Sequence, residues 1–136
     1  FHTLFSLKSL NLDDNCLFRF ELNLVSKLDF LNDLKLGNNV LKNLDENLFD
    51  QLKSLSILFL NSNRIRKFKL NTFLNLKNML YLDLSDNCLQ DLNFTLDPIN
   101  GTIKHLNLMN NKFVIFNDSL FFRNVRFVDL IDLSSN

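Results

Sequence analysis

A single phrase of residues returns along the chain every 24 positions, and this period constrains the fold more than any other feature of the sequence. Residues 55–76 read LSILFLNSNRIRKFKLNTFLNL and hold one complete copy, with the spacing L-x-x-L-x-L-x-x-N-x-L followed by further apolar positions. Self-similarity at a fixed period of about 20–50 residues is typical of a solenoid, in which each unit buries its apolar face against its neighbours. The chain is therefore predicted to lack a central globular core.

The repeat frame accounts for the whole chain when the first apolar residue of each unit is numbered position 1. Complete units begin at Leu7, Leu31, Leu55, Met79 and Ile103, residues 1–6 belong to a preceding unit, and a partial unit covers 128–136. Position 9 is asparagine in every unit, at Asn15, Asn39, Asn63, Asn87, Asn111 and Asn136. A length of 136 residues suits one domain, and neither end carries a cap motif. We therefore predict a single solenoid fragment over residues 1–136.

The pattern inside each unit predicts its local structure. Positions 3 to 7 alternate between inward apolar and outward residues, as in Leu82-Asp83-Leu84, and this period of two indicates a short strand. One strand per unit requires a crossover before the next, so neighbouring strands must be parallel. The predicted fold is α/β: a right-handed β-α superhelix with a curved parallel sheet on the concave face and a mostly irregular or short helical convex side.

The convex side is predicted to hold a second apolar column, in which Phe49, Phe73 and Phe122 stack on one another. Each of these residues begins the same phrase, Phe-x-x-apolar-x-x-apolar. Residues 97–101, DPING, interrupt the column in the fourth unit, where we expect an irregular loop.

The asparagine at position 9 has a physical reason to recur. An amide side chain carries both a hydrogen-bond donor and an acceptor, and backbone groups lose their ladder partners where a chain turns off a strand. We predict that each asparagine is buried and bonds to its own loop and to the next unit.

The unit L-x-x-L-x-L-x-x-N-x-L-x-x-[LF]-x-x-x-x-F-x-x-L resembles the "typical" class of extracellular leucine-rich repeats. That class includes the ectodomains of Toll and Toll-like receptors, Slit proteins and many adhesion receptors. The resemblance covers the whole chain and is specific for the class of repeat rather than for one member. It implies a non-enzymatic recognition module of an extracellular or cell-surface ectodomain, such as that of an innate immune receptor. The parent protein would be secreted or anchored by a single membrane span.

In this class of repeat the concave face is the usual binding surface, and its exposed positions are 2, 3, 5, 7 and 8. These positions are polar in the second unit, whereas the third to fifth units place Ile57, Phe59, Leu80, Tyr81 and Met109 there amid polar neighbours. Exposed aromatic groups tend to mark binding sites, although a chance cluster or contact with parts of a longer chain would give the same pattern. The predicted partner-binding residues are Ile57, Phe59, Leu80, Tyr81, Asp83, His105, Asn107 and Met109.

The charge balance does not point to a polyanion as the partner, because 15 basic residues match 15 acidic ones. The third unit nevertheless has a basic run at positions 10 to 15, formed by Arg64, Arg66, Lys67 and Lys69. Such a run offers a weaker site for a glycosaminoglycan or nucleic acid, and is more often a solvated flank. A protein ligand or co-receptor is the favoured partner, and a dimer is compatible with the sequence.

Two further features, the glycosylation sequons and the cysteines, bear on whether the protein is secreted or intracellular. Three N-x-[ST] sequons, at Asn93, Asn100 and Asn117, lie on return segments and are candidates for glycosylation in a secreted protein. Cys16 and Cys88 share position 10 three units apart, about 14 Å at roughly 4.8 Å per strand, which excludes a disulfide between them. Free thiols suit the alternative interpretation, an intracellular leucine-rich-repeat scaffold or adaptor in a reducing compartment.

No residue pattern supports catalysis, a metal or a cofactor. The chain has two histidines, two glycines, no C-x-x-C pair and no apolar run of about 18 residues. His105 projects near Asp83 and Asp129, but a relay would also need a positioned nucleophile and oxyanion donors. The sequence therefore predicts no enzyme activity, no metal site and no cofactor.

Overall fold

The computed structural model describes residues 4–45, 47–69, 72–91, 103–114 and 128–136. Its elements there are β1 (Ser9–Asn11), α1 (Leu22–Val25), β2 (Asp33–Lys35), β3 (Ile57–Phe59), β4 (Tyr81–Asp83), β5 (His105–Asn107) and β6 (Leu130–Asp132). The strands form one sheet in chain order, and every neighbouring pair is parallel. The predicted solenoid with a parallel sheet is confirmed.

The register of the sheet follows the repeat period. Leu34 pairs with Leu58, and Leu58 pairs with Leu82, so that partners are 24 residues apart. Between β5 and β6 the step is 25 residues, since Leu106 pairs with Ile131. Residues at one position of the repeat therefore form a straight row across the strands.

The strands are shorter than predicted, covering positions 3 to 5 rather than 3 to 7. The ladder continues past them, because the Leu12 N–H donates to the Lys35 carbonyl at 2.9 Å and the Asp14 N–H donates to the Gly37 carbonyl at 3.1 Å. Regular geometry ends at position 8, where the backbone turns into the left-handed region that small polar residues tolerate best. The residues with φ between 50° and 57° there are Asp14, Asn38, Ser62, Asp86, Asn110 and Ser135.

The interior is built from stacked inward leucines. Leu34, Leu58, Leu82 and Leu106, at position 4, are all 0% exposed. Position 6 is equally buried at Leu36, Leu60, Leu84 and Leu108. Each leucine packs against its equivalents in the units on either side, so stability depends on contacts between neighbouring units.

Aromatic rings close the convex side. Phe49 and Phe73 stack with ring centroids 5.9 Å apart and an interplanar angle of 13°, and Phe68 meets Phe73 edge-on at 4.9 Å. This contact confirms the predicted column for the pair Phe49 and Phe73. Phe122 and the expected loop at 97–101 lie outside the described residues.

The position-9 side chains join adjacent units through their amides. Asn63 donates from Nδ2 to the carbonyls of Leu36 at 2.9 Å and Leu60 at 3.1 Å, and its Oδ1 accepts from the Leu41 N–H at 3.0 Å. Four of the six, Asn39, Asn63, Asn87 and Asn111, are buried, whereas Asn15 and Asn136 are exposed.

The bond between units runs to the preceding unit, not to the next one as predicted. Leu36 and Leu41 both precede the unit that contains Asn63. The position-6 carbonyl points toward the following unit, where the backbone has already turned off the sheet. The asparagine of that following unit supplies the missing donor.

Candidate partner-binding surface

Three ring side chains lie side by side on the concave face, one from each of β3, β4 and β5. The ring centroids of Phe59 and Tyr81 are 5.1 Å apart, and those of Tyr81 and His105 are 6.0 Å apart. Phe59 and Tyr81 are half-buried and His105 is exposed. Positions 3 and 5 of a strand face the same side of the sheet, so the repeat frame brings these rings together. We call Phe59, Tyr81 and His105 the aromatic strip.

Lys35 on β2 extends the strip by one strand. Its Nζ lies 5.6 Å from the centroid of the Phe59 ring, within the range of a cation–π interaction. The two residues are partners in the sheet register, which fixes their separation. A row of interacting side chains thus crosses four neighbouring strands, from the Lys35 ammonium to the His105 imidazole.

Asp83 lies beside the strip and is only 8% exposed, so the prediction that its position is exposed does not hold in this unit. Its Oδ1 accepts from the backbone N–H and the hydroxyl of Ser85, at 2.9 and 2.6 Å. Its Oδ2 accepts from the Asn107 amide at 3.2 Å and from the Tyr81 hydroxyl at 3.4 Å. These donors replace water around a buried carboxylate. Asp83 thus positions Tyr81 and Asn107 and offers a partner little surface of its own.

The same arrangement recurs in the sixth unit and has a signal in the sequence. Asp132 accepts from the Ser134 hydroxyl at 2.7 Å and from its backbone N–H at 2.9 Å. These two bonds lower the pKa of the Asp132 carboxyl. Asp-x-Ser at positions 5 and 7 therefore indicates a carboxylate that is satisfied within its own turn, and the sequence prediction did not use it.

Tyr81 provides a direct probe of this network, since it is the single tyrosine in a chain without tryptophan. Burial, followed by the charge of Asp83 and the hydrogen bond to it, raises the pKa of the Tyr81 phenol above its ordinary 10.0. We expect an absorbance titration to show a midpoint above 10.0, and Asp83→Asn to move that midpoint down. The control is circular dichroism, which must show both proteins folded.

The raised pKa also predicts how stability depends on pH. The folded state favours the neutral phenol, so the free energy of unfolding should fall once the pH passes about 10 and level off when the folded phenol has ionised. Urea unfolding across this range measures the effect. A folded-state midpoint at or below 10.0 would contradict the contact between Tyr81 and Asp83.

The remaining predicted residues surround the strip. Ile57 and Asn107 are half-buried, Leu80 is 47% exposed and Met109 is 36% exposed. Leu130 continues the position-3 row beyond His105 and is 53% exposed. The sequence prediction covered the second to fifth units and missed Leu130, although the repeat frame places it in the same row.

The concave face is acidic, although the whole chain has zero formal net charge. Its outward positions carry the aspartates Asp13, Asp14, Asp33, Asp83, Asp86, Asp129 and Asp132 against Lys8, Lys35 and Lys104. The flank at positions 10 to 15 of the first three units has the opposite balance, with Arg19, Lys42, Arg64, Arg66, Lys67 and Lys69 against Glu21 and Asp45. The two surfaces therefore differ in sign, which the net charge of the chain conceals.

The basic flank includes the run that the sequence singled out, and all four of its cations are exposed. Lys67 and Lys69 line a groove with Asn43 and Asp45. Arg19, in the first unit, is 3.2 Å from the carboxylate of Glu21. The groove thus contains charges of both signs.

Cys16 and Cys88 are free cysteines, as predicted. Asn93, Asn100 and Asn117 lie outside the described residues. Among the residues that are described, no three His, Cys, Asp or Glu side chains converge as metal ligands. In that same part of the chain, no helix has the length and apolarity needed to span a bilayer.

Solved structures of other proteins share this architecture. The TLR13–ssRNA13 complex matches 96% of the chain with a TM-score of 0.87 and 27% sequence identity. The ectodomain of the receptor kinase SOBIR1 from Arabidopsis thaliana, described as a leucine-rich-repeat ectodomain, matches 93% of the chain with a TM-score of 0.70 and 28% identity. The chain has a leucine-rich-repeat fold.

The chain resembles these proteins in its three-dimensional structure, whereas only 27% and 28% of the aligned residues are identical. No protein-family model and no curated protein sequence matches the chain. The chain spans 19% of the TLR13 chain and 68% of the SOBIR1 chain.

Proposed function

We propose that this chain is a recognition module of an extracellular leucine-rich-repeat receptor of the Toll-like kind. It binds a protein partner through the aromatic strip and catalyses no reaction. The observation that carries the proposal is the contact among Phe59, Tyr81 and His105 on an outward-facing sheet. Aromatic rings gain free energy when they are covered, so a row of rings on a surface favours a partner that completes their burial.

The surroundings of the strip suit the centre of a protein interface. Leu80, Met109 and Leu130 extend the apolar surface on its sides. At its edge, Lys104 and Asp129 form an exposed ion pair with a 3.5 Å separation. Protein interfaces have this organisation, with aromatic anchors at the centre and charged groups at the rim.

The receptor setting is supported by the similar structures. The SOBIR1 match is the ectodomain of a receptor kinase, and the TLR13 match is a complex with single-stranded RNA. The sequons at Asn93, Asn100 and Asn117 suit a secreted chain. The second candidate is an intracellular scaffold, which is favoured by the two free cysteines.

Glycosylation distinguishes these two settings. We expect the chain, produced through a eukaryotic secretory pathway, to lose mass on treatment with an N-glycosidase. Replacing Asn93, Asn100 and Asn117 by Gln should abolish that loss. A secreted protein without any glycan would favour the intracellular scaffold and would leave binding by the concave face untouched.

The binding proposal is tested by a screen of secreted and cell-surface proteins from the source organism against the immobilised chain. We expect a partner whose affinity falls about a hundredfold in the double variant Phe59→Ala, Tyr81→Ala, because two central aromatic contacts are lost. Lys53→Ala, an exposed residue remote from the strip, is the matched control and should leave the affinity unchanged.

Two outcomes of this screen would overturn the proposal. One is a partner that binds the double variant as tightly as the native chain. The other is a partner lost in Lys42→Ala, Arg66→Ala but retained in the strip variant, which would move the binding site to the basic flank. Urea unfolding of each variant verifies that a loss of affinity does not reflect a loss of folding.

A further inference from the structure

We infer that the occupant of the aromatic strip is a protein segment that carries arginine or lysine between apolar side chains. This inference rests on the proposed function and specifies the chemistry of the partner. Two separate observations support it: a cation already lies on one ring of the strip, and the charge of the whole face is negative.

The first observation is the position of Lys35. Its ammonium lies 5.6 Å from the centre of the Phe59 ring, so the chain itself places a cation on this surface. In the described part of the chain no second cation lies over Tyr81 or His105, the next two rings of the strip. A partner can therefore continue the row that Lys35 begins. Arginine suits this role better than lysine, because its planar guanidinium stacks on rings and is more weakly hydrated.

The second observation is the charge pattern around the rings. Asp33 on β2 and Asp86 after β4 are half-buried on either side of the strip. Of the three lysines on the face, Lys104 is already paired with Asp129. The face thus attracts a cationic segment, while the basic flank repels it, and together they orient its approach. A nucleic acid would instead be repelled, because its phosphates would face an excess of carboxylates.

The spacing of the rings fits an extended segment. Adjacent rings of the strip are 5.1 and 6.0 Å apart. Alternate side chains of an extended peptide face one side and are about 7 Å apart. The two spacings differ by about 1–2 Å, which long side chains can absorb, so a segment that crosses the strands can place neighbouring outward side chains over neighbouring rings. The exposed side chains of Leu80 and Leu130 would meet its apolar residues.

Four probes test this chemistry on the intact chain. They are a short peptide in which pairs of leucines alternate with pairs of arginines, so that each side of the extended chain carries both, its lysine and glutamate counterparts, and a single-stranded oligouridylate. Binding is followed by calorimetry and by the fluorescence of Tyr81, which no other tyrosine or tryptophan obscures. We expect the arginine peptide to bind about tenfold or more tightly than the glutamate peptide, with an affinity that weakens as salt is added.

Variants separate the cation–π contribution from simple apolar contact. Tyr81→Leu keeps an apolar side chain but removes the first ring that carries no cation, and calorimetry should show about tenfold weaker binding of the arginine peptide. Asp33→Asn with Asp86→Asn should weaken it to a similar degree, because two half-buried carboxylates near the strip become neutral. Asp45→Asn, on the basic flank, is the matched control and should have no effect.

Several results would overturn the inference. These are equal affinity for the arginine and glutamate peptides, failure of the arginine peptide to bind, tighter binding of the oligouridylate, or no effect of Tyr81→Leu. The proposed function fails separately, when the partner from the screen binds away from the strip. A natural partner that covers Phe59 and Tyr81 without any cationic segment would refute the inference and leave the proposed function intact.

Discussion

Phe49→Ala is expected to lower the free energy of unfolding by about 3–5 kcal/mol. The Phe49 side chain is 0% exposed and stacks on Phe73 at 5.9 Å, so its removal leaves a cavity between two units. A solenoid has no distant contacts with which to close such a gap, because each unit packs only on its neighbours. A loss of this size is a large part of the roughly 5–15 kcal/mol that stabilises a typical domain.

Urea unfolding followed by circular dichroism measures the effect. Phe30→Ala is the matched control, since the Phe30 side chain is 62% exposed and its removal should cost less than about 0.5 kcal/mol. Phe49→Leu should fall between the two, because it retains part of the apolar volume. Equal losses for Phe49→Ala and Phe30→Ala would show that the convex aromatic column does not hold the units together.

Asn63→Ala is expected to lower the free energy of unfolding by about 2–4 kcal/mol. The substitution removes the donor to the Leu36 carbonyl and the acceptor for the Leu41 N–H, both in the preceding unit. The buried Leu41 N–H loses its acceptor, which costs about 1–3 kcal/mol, and the Leu36 carbonyl keeps only the longer bond from Asn39 at 3.2 Å. The damage should be local, so the Leu41 amide should exchange its hydrogen faster, while amides in the first unit keep their protection.

Asn15→Ala is the matched control for Asn63→Ala. Asn15 occupies the same position of the repeat, but it is exposed, and its bonds among the described residues run to the carbonyls of Leu12 and Asp13 in its own unit. Asn15→Ala should therefore lower the free energy of unfolding by less than about 1 kcal/mol. Urea unfolding and amide hydrogen exchange measure the loss of stability and of amide protection in each of the two variants. If both lose the same stability, the coupling between units does not come from the buried amides.

The fold could be predicted from the sequence because the 24-residue period determines both side-chain orientation and strand pairing. A column of leucines every 24 residues fixes which residues face inward and which strand residues become partners. The stack of Phe49 on Phe73 followed from the same period. The direction of the asparagine bonds did not, because the repeat does not say on which side of a unit a backbone carbonyl is left without a partner.

The candidate surface was predicted less completely. The repeat placed Phe59, Tyr81 and His105 on one face, yet it assigned Asp83 to that surface as well. In the structure the Asp83 carboxylate is covered by neighbours on the same face, because Ser85, Asn107 and Tyr81 all donate to it. The contact of Lys35 with the Phe59 ring was also missed, since it depends on side-chain directions in adjacent strands.

The sequence by itself determined the solenoid, the sheet register and the face that carries the rings, since each depends only on which positions recur. Tertiary structure decided which side chains on that face are free to meet a partner. The Asp83 carboxylate is covered by Asn107 of the next unit as well as by its own turn, and Lys35 reaches the Phe59 ring on the adjacent strand. Their interactions depend on distance in space, which a count of residues along the chain does not supply.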